Sequence, residues 1–226
     1  MIEKFPRHRE VLRHFAVWLY SNNQIEEARQ IYVKLIQQYP RSFEIRHGYG
    51  RLLLKEEKYL EAAEEFRAVL STHRGHQMAH DGLAYAMGKL GEKAEASGER
   101  ESAKRFYEIA EKEFKLAIYW AKKQGETQGV FYANLGWFYL ARGRYADAKT
   151  AFKSSIFENK NNFVNYWGIA RSHMGLGNYQ AAADALQTAL DKAEEAKIVL
   201  QPPASEEIPE LLRQCREKLG KSEKTN

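Results

Sequence analysis

A small residue followed four positions later by a larger one recurs five times along this chain, and no other feature constrains the fold so tightly. The pairs are Ala28/Tyr32, Ala62/Phe66, Ala110/Phe114, Ala148/Phe152 and Ala182/Leu186. Seven residues after each alanine stand Leu35, Val69, Ala117, Ser155 and Ala189, so the three positions share one helical face. Upstream of each lies a bulky residue followed by a small one: Phe15-Ala16, Tyr49-Gly50, Leu83-Ala84, Leu135-Gly136 and Ile169-Ala170. A small residue there lets two antiparallel helices approach closely, while the larger side chain of the second helix fills the space beside it. Turn signals such as "GRY" at Gly143 and "GNY" at Gly177 separate the two helices. The sequence therefore predicts five helix pairs and no strands.

The anchor alanines lie 34, 48, 38 and 34 residues apart, which marks the third unit as enlarged. The 14 residues by which 48 exceeds 34 fall within "GEKAEASGERESAKRF", where Gly91 and Ser97-Gly98 read as a loop. The segment that follows reads as one long, protruding helix carrying the i,i+4 pairs Glu101/Arg105, Glu108/Lys112 and Glu111/Lys115. After Pro202-Pro203, a stripe of Ile208, Leu211, Leu212, Cys215 and Leu219 predicts a final helix covering the last pair, with Cys215 in a packing role.

The pattern resembles the tetratricopeptide repeat family. "YANLGWFYLARGRYADAKTAFKSSI" carries the family's residues at Tyr132, Leu135, Gly136, Tyr139, Gly143, Ala148 and Phe152, and departs with Ser155 in place of the last alanine. The other repeats diverge further, with Ala16 or Ala84 for the glycine and His80 at a position usually large and apolar. The resemblance implies an all-α, right-handed superhelical solenoid of antiparallel helix pairs. In this reading the repeats span residues 9–42, 43–76, 77–128, 129–162 and 163–196. A linker at 197–204, a capping helix at 205–220 and a disordered tail at 221–226 follow. Residues 1–8 read either as the tail of a preceding repeat, because Pro6 stands one period before Pro40, or as a lead into the first helix.

Composition narrows the function. No apolar run approaches the roughly 18 residues of a spanning helix, and no signal-like core follows the N-terminus, so a cytoplasmic setting is expected. A formal charge of +5 arises from 35 basic and 30 acidic residues that are well mixed, a mild bias toward acidic partners. Catalytic patterns are missing. "HGYGRLLL" lacks the third glycine and the preceding strand of a dinucleotide fingerprint, and helix packing explains Gly48 and Gly50. In "HRGHQMAH", His73, His76 and His80 lack the glutamate of a zinc-peptidase motif and a complete ligand set, so a structural role is expected. Neither an enzyme nor a cofactor is anticipated.

The resemblance implies a concave groove lined by the first helices. The facing positions here hold Arg13 and Val17, His47 and Arg51, Asp81, Tyr85 and Lys89, Ala133, Asn134 and Trp137, and Trp167 and Arg171. Arg13, His47, Arg51, Tyr85, Lys89, Asn134, Trp137, Trp167 and Arg171 are the candidate partner-binding residues. This basic and aromatic set suits a protein or peptide carrying carboxylates or aromatic groups. Core packing between repeats is the competing role for Trp137 and Trp167. The family's clamp for a C-terminal carboxylate is not expected, because Val17, Gly48, Asp81 and Gly82 occupy its places. The leading expectation is a protein-interaction scaffold, with RNA binding as the alternative, since arginines among aromatics can also stack bases.

Overall fold

The computed structural model describes residues 6–222, which form eleven α-helices and no strand. The pairs are α1 (Pro6–Ser21) with α2 (Ile25–Gln38), α3 (Phe43–Lys55) with α4 (Tyr59–Thr72), and α5 (Gln77–Ala96) with α6 (Arg100–Lys123). They continue with α7 (Gly129–Ala141) and α8 (Tyr145–Glu158), α9 (Phe163–Gly175) and α10 (Tyr179–Glu195), and end with α11 (Ala204–Ser222). Pro6 is the first residue of α1, where its fixed φ and missing N–H cost nothing. The expected tail lies outside the described residues except for 221 and 222, which close α11.

One turn geometry joins the two helices of every pair. Asn23 (φ 62°), Glu57 (58°), Gly98 (79°), Gly143 (68°) and Gly177 (76°) each adopt the left-handed conformation. The next residue's N–H then reaches five residues back: Gln24 to Leu19, Lys58 to Leu53, Glu99 to Ala94, Arg144 to Tyr139 and Asn178 to His173. That bond satisfies a carbonyl orphaned at the helix end and reverses the chain. Ser42, His76 and Asn162 start the next first helices as side-chain caps.

The chain divides into two compact units at Trp120/Ala121. In the first unit the Phe66 ring fills the space in front of two glycines: a Cβ on Gly50 would stand 2.9 Å from it and one on Gly82 2.4 Å. In the second, Phe152 meets Gly136 and Gly168 in the same way, at 2.8 and 2.4 Å. At Gly50 and Gly136 the small-residue rule read from the sequence is therefore one side of a socket for an aromatic ring, completed by Gly82 and Gly168 of the next first helix.

Gly91 corrects the sequence reading of the enlarged repeat. It lies buried inside α5, where a Cβ would stand 2.4 Å from the Tyr107 ring, so it is a close-approach glycine and not a loop residue. The extra residues are shared, giving α5 20 residues and α6 24, against 13 and 14 in α3 and α4. The added turns pack on each other through Gly91 and Tyr107, whose hydroxyl donates to Glu95 at 3.0 Å, and Ala103 and Ala110 of α6 are buried. Only Ser97-Gly98 forms the turn.

Candidate functional site

The candidate residues of the first unit, Arg13, His47, Arg51, Tyr85 and Lys89, come from the first helices α1, α3 and α5. Arg13 and Arg51 approach the buried Tyr32 phenol, whose pKa burial raises while the two guanidinium groups oppose that rise. Gly48 is needed here, because a Cβ would stand 2.5 Å from the Tyr32 hydroxyl. Arg13 is held by Glu10 at 2.9 Å and reaches His14 at 3.1 Å. Arg51 is exposed, and its guanidinium carbon lies 5.6 Å from the centre of the Tyr20 ring. Lys55, one turn further along α3, places its ammonium 5.0 Å from the same ring and donates to the Tyr20 carbonyl at 3.4 Å. Neither cation has a carboxylate partner among the described residues. Tyr20 and Lys55 were not singled out from sequence, although Lys55 follows Arg51 by the four residues that keep a helical face.

His47 does not contribute a cation. Its ring packs 5.9 Å from Phe66 and 5.0 Å from His76 between centroids. Burial, with His76 and Arg51 nearby, lowers its pKa to about 4, so it is neutral at pH 7. Tyr85 is exposed, and Lys89 sits 5.8 Å from the ring centre while bridging Glu92 at 2.7 Å.

The candidates of the second unit behave differently. Trp137 is half-buried, edge-on to Phe152 at 5.2 Å and to Trp167 at 5.3 Å. The Arg171 guanidinium lies 5.7 Å from the Trp137 ring centre and 3.5 Å from Glu207 of α11. Trp167, expected to anchor a ligand, is only 7% exposed and belongs to a core with Leu186, Ala204 and Ile208. The competing packing role describes it: with Ala170 small beside it, the indole fills the space under α11. Asn134 is half-buried on α7.

The three histidines of "HRGHQMAH" have separate tasks. His73 packs against Phe43 with centroids 3.8 Å apart and the rings tilted by 37°, and His76 Nδ1 accepts the Ala79 N–H at 3.1 Å as the cap of α5. His80 is buried, with Nδ1 2.6 Å from a Glu113 carboxylate oxygen and Nε2 2.9 Å from the Arg74 carbonyl oxygen. Both partners are acceptors, so His80 fastens α6 to the start of α5 through a polar contact where an apolar residue is usual. Cys215 is buried, and burial pushes its thiol pKa up.

No curated protein matches the sequence detectably. Among solved structures, TTC0263, a thermophilic tetratricopeptide repeat protein of Thermus thermophilus, superposes with a TM-score of 0.70 at 17% identity, covering 93% of this chain and 98% of that one. PilW, a type IV pilus biogenesis factor, gives 0.71 at 16% identity over 96% and 88% of the two chains. YrrB, described as a tetratricopeptide repeat protein with an unusual peptide-binding site, gives 0.59 at 17% identity over 96% and 95%. At these identities the likeness is one of fold. Sequence models described as tetratricopeptide repeat match residues 15–79, 130–161 and 168–200, more than half of the chain. With helix pairs, ring sockets and turns recurring at the matched positions, the chain belongs to the tetratricopeptide repeat family.

Proposed function

We propose that this protein-interaction scaffold binds an extended peptide bearing carboxylate and aromatic side chains on the first-helix faces of α1, α3 and α5. The observation that carries the reading is the Tyr20 ring flanked by Arg51 and Lys55, two cations without a carboxylate partner among the described residues. A peptide carboxylate would receive charge-assisted hydrogen bonds there, bidentate from Arg51, while a neighbouring aromatic group would meet Tyr85. The ring holds both cations in place, so little side-chain freedom is lost on binding. The family is generally non-enzymatic, and the reading assigns no catalytic step.

The remaining cations do not favour RNA. Arg13, Lys89 and Arg171 are each engaged by a carboxylate of the chain, at 2.9, 2.7 and 3.5 Å. A continuous basic stripe would be needed to follow a phosphate backbone.

The test uses two fluorescent peptides, each about 15 residues of alternating Phe and either Asp or Lys, long enough to span several first helices. Anisotropy should show saturable binding of the Asp peptide only, weakened about tenfold or more by Arg51→Glu, the loss of one charge-assisted contact. Equal binding of both peptides, or an unchanged affinity in Arg51→Glu, would refute the reading.

A further inference from the structure

Trp167 stands in the register that Arg13, His47 and Asp81 hold in the first unit, where all three keep contact with solvent. Trp167 is covered instead, and its Nε1 is buried with no hydrogen-bond acceptor among the described residues. A donor left unpaired in a dry site costs stability, and an acceptor brought to it removes that cost. Trp137 lies edge-on to Trp167, and Arg171, one turn along α9, is exposed and reaches over the Trp137 ring. Two indoles beside a guanidinium group are the residue types that anchor peptides.

The cover over this group is short. Leu200, Ala204 and Ile208 belong to the apolar cluster that encloses Trp167, and Glu207 reaches Arg171 at 3.5 Å. Residues 196–199 and 201–203 are exposed, so the connection from α10 runs over the surface. Pro209 then interrupts α11. An interior proline has no N–H for the carbonyl four residues back, here that of Ser205, and its ring crowds that carbonyl. The first turn of α11, which carries Ala204, Glu207 and Ile208, is thereby less firmly tied to the remainder. Beyond Pro209, Leu211, Leu212 and Cys215 have their own places in the core, and α11 packs along α10.

We infer that residues 200–208 form a displaceable strap, hinged at Pro209, over a second peptide-binding surface made by Trp137, Trp167 and Arg171. The strap displays the chemistry of the partner: a carboxylate for Arg171 followed by a branched apolar side chain for Trp167, as in Glu207-Ile208. A partner segment that also brings a backbone carbonyl to Trp167 Nε1 makes one contact that the strap leaves unmade, and this difference drives the exchange. Without a partner, tethering keeps the strap at high effective concentration and the surface closed. The surface shares no residue with the face proposed on α1, α3 and α5, so either can fail alone.

Hydrogen exchange on the full chain tests the strap. The Trp167 indole proton should be protected at least about tenfold less than the Ala170 amide, because lifting the strap exposes the first and only opening of α9 exposes the second. Pro209→Ala, which restores the missing hydrogen bond, should slow exchange of the indole and leave the Ala170 amide unchanged. A fluorescent peptide of residues 200–208, "LQPPASEEI", tests the surface. It should bind Glu207→Lys at least about tenfold more tightly than the wild type, since the lysine repels Arg171 and frees the site. Glu207→Gln should shift affinity in the same direction, and carries the test if Glu207→Lys lowers the melting temperature. Adding Arg171→Glu to Glu207→Lys should abolish the gain, whereas adding Arg51→Glu should not. Equal protection of the two protons, an indole rate unchanged by Pro209→Ala, no tighter binding once Glu207 is replaced, or a gain that survives Arg171→Glu would each overturn the inference.

Discussion

Phe66 and Phe152 occupy the same position in the two compact units, and each fills the space before a pair of glycines, yet the units use the surrounding positions in opposite ways. Beside Phe66, the second-helix residue is Val69 and the first-helix residue across from it is Ala79, both buried and apolar. Beside Phe152, the same two places hold Ser155 and Asn165. Asn165 Nδ2 donates to Ser155 Oγ at 2.8 Å, and Ser155 donates to the Gly129 carbonyl at 2.7 Å. Glu158 adds a carboxylate that accepts from Gln128 N at 2.6 Å and Gly129 N at 2.8 Å, tying the start of α7 to the end of α8. The second unit thus carries polar contacts beside its socketed ring, where the first is apolar; the first unit's buried polar contact, His80 with Glu113, lies instead between α5 and α6. Packing fixes the ring and its glycine sockets; polarity next to the ring is free to vary.

The largest expected effect tests the common part. Phe66→Ala and Phe152→Ala should each destabilise by about 3–5 kcal/mol, since both rings are fully buried and two facing glycines cannot close the cavity. Urea unfolding followed by circular dichroism measures both. A loss below about 1.5 kcal/mol in one variant alone would show that its socket collapses and that the sockets are not equivalent.

The polar contacts should separate the units next. Ser155→Ala leaves Asn165 Nδ2 and the Gly129 carbonyl without their partner and is expected to cost roughly 1–3 kcal/mol. Giving the second unit the first unit's residues, Ser155→Val with Asn165→Ala, removes donor and acceptor together. Asn165 Oδ1 is already buried without a donor, so the double variant should be more stable than Ser155→Ala alone. Additive losses in the double-mutant cycle would mean that the two side chains are not coupled.

How far the sequence reveals this follows from the kind of contact. The repeat register was legible because an aromatic ring and its small partners must recur at fixed spacing to close a helix pair. The turns were legible at Gly143 and Gly177 but not at Asn23 and Glu57, where non-glycine residues adopt the same left-handed conformation within the repeated hydrogen-bond pattern. Gly91 misled because a glycine that admits a ring inside a helix reads like one that ends a helix. Trp167 was ambiguous because helical position alone cannot distinguish a groove wall from a seat beneath the next helix. Arg51 was readable as a surface cation, whereas its pairing with Lys55 around Tyr20 joins residues of two different helices and needs the fold.

Acid should affect the first unit through His47. Its folded pKa, about 4, lies below the usual 6.5, because burial disfavours the imidazolium and His76 and Arg51 oppose it. The unfolded chain therefore binds a proton that the fold refuses. Stability from this group is complete above about pH 6.5 and falls as pH drops from there toward about 4, by roughly 1–2 kcal/mol once the ring's remaining solvent contact is allowed for. His47→Gln should flatten that part of the curve. An unchanged slope would place the acid sensitivity elsewhere, with His173 the counterpart in the second unit, its pKa lowered by burial and by Lys149 and Lys153.

The smallest expected effect compares the cations. Arg51 has no carboxylate partner among the described residues, whereas Arg171 meets Glu207 at 3.5 Å on a partly exposed surface. Arg51→Ala and Arg171→Ala should each change stability by less than about 0.5–1 kcal/mol, because exposed ion pairs and cation–aromatic contacts contribute little. Salt distinguishes them. Raising ionic strength should reduce the effect of Arg171→Ala by screening the Glu207 attraction and leave that of Arg51→Ala nearly constant, since the Tyr20 ring carries no net charge. The same salt series, applied to binding of the Asp peptide, should weaken the wild type more than Arg51→Ala. If Arg51→Ala were instead strongly destabilising, its guanidinium would be a structural support for Tyr20, and the first unit would use its surface cation as the second uses its interior serine.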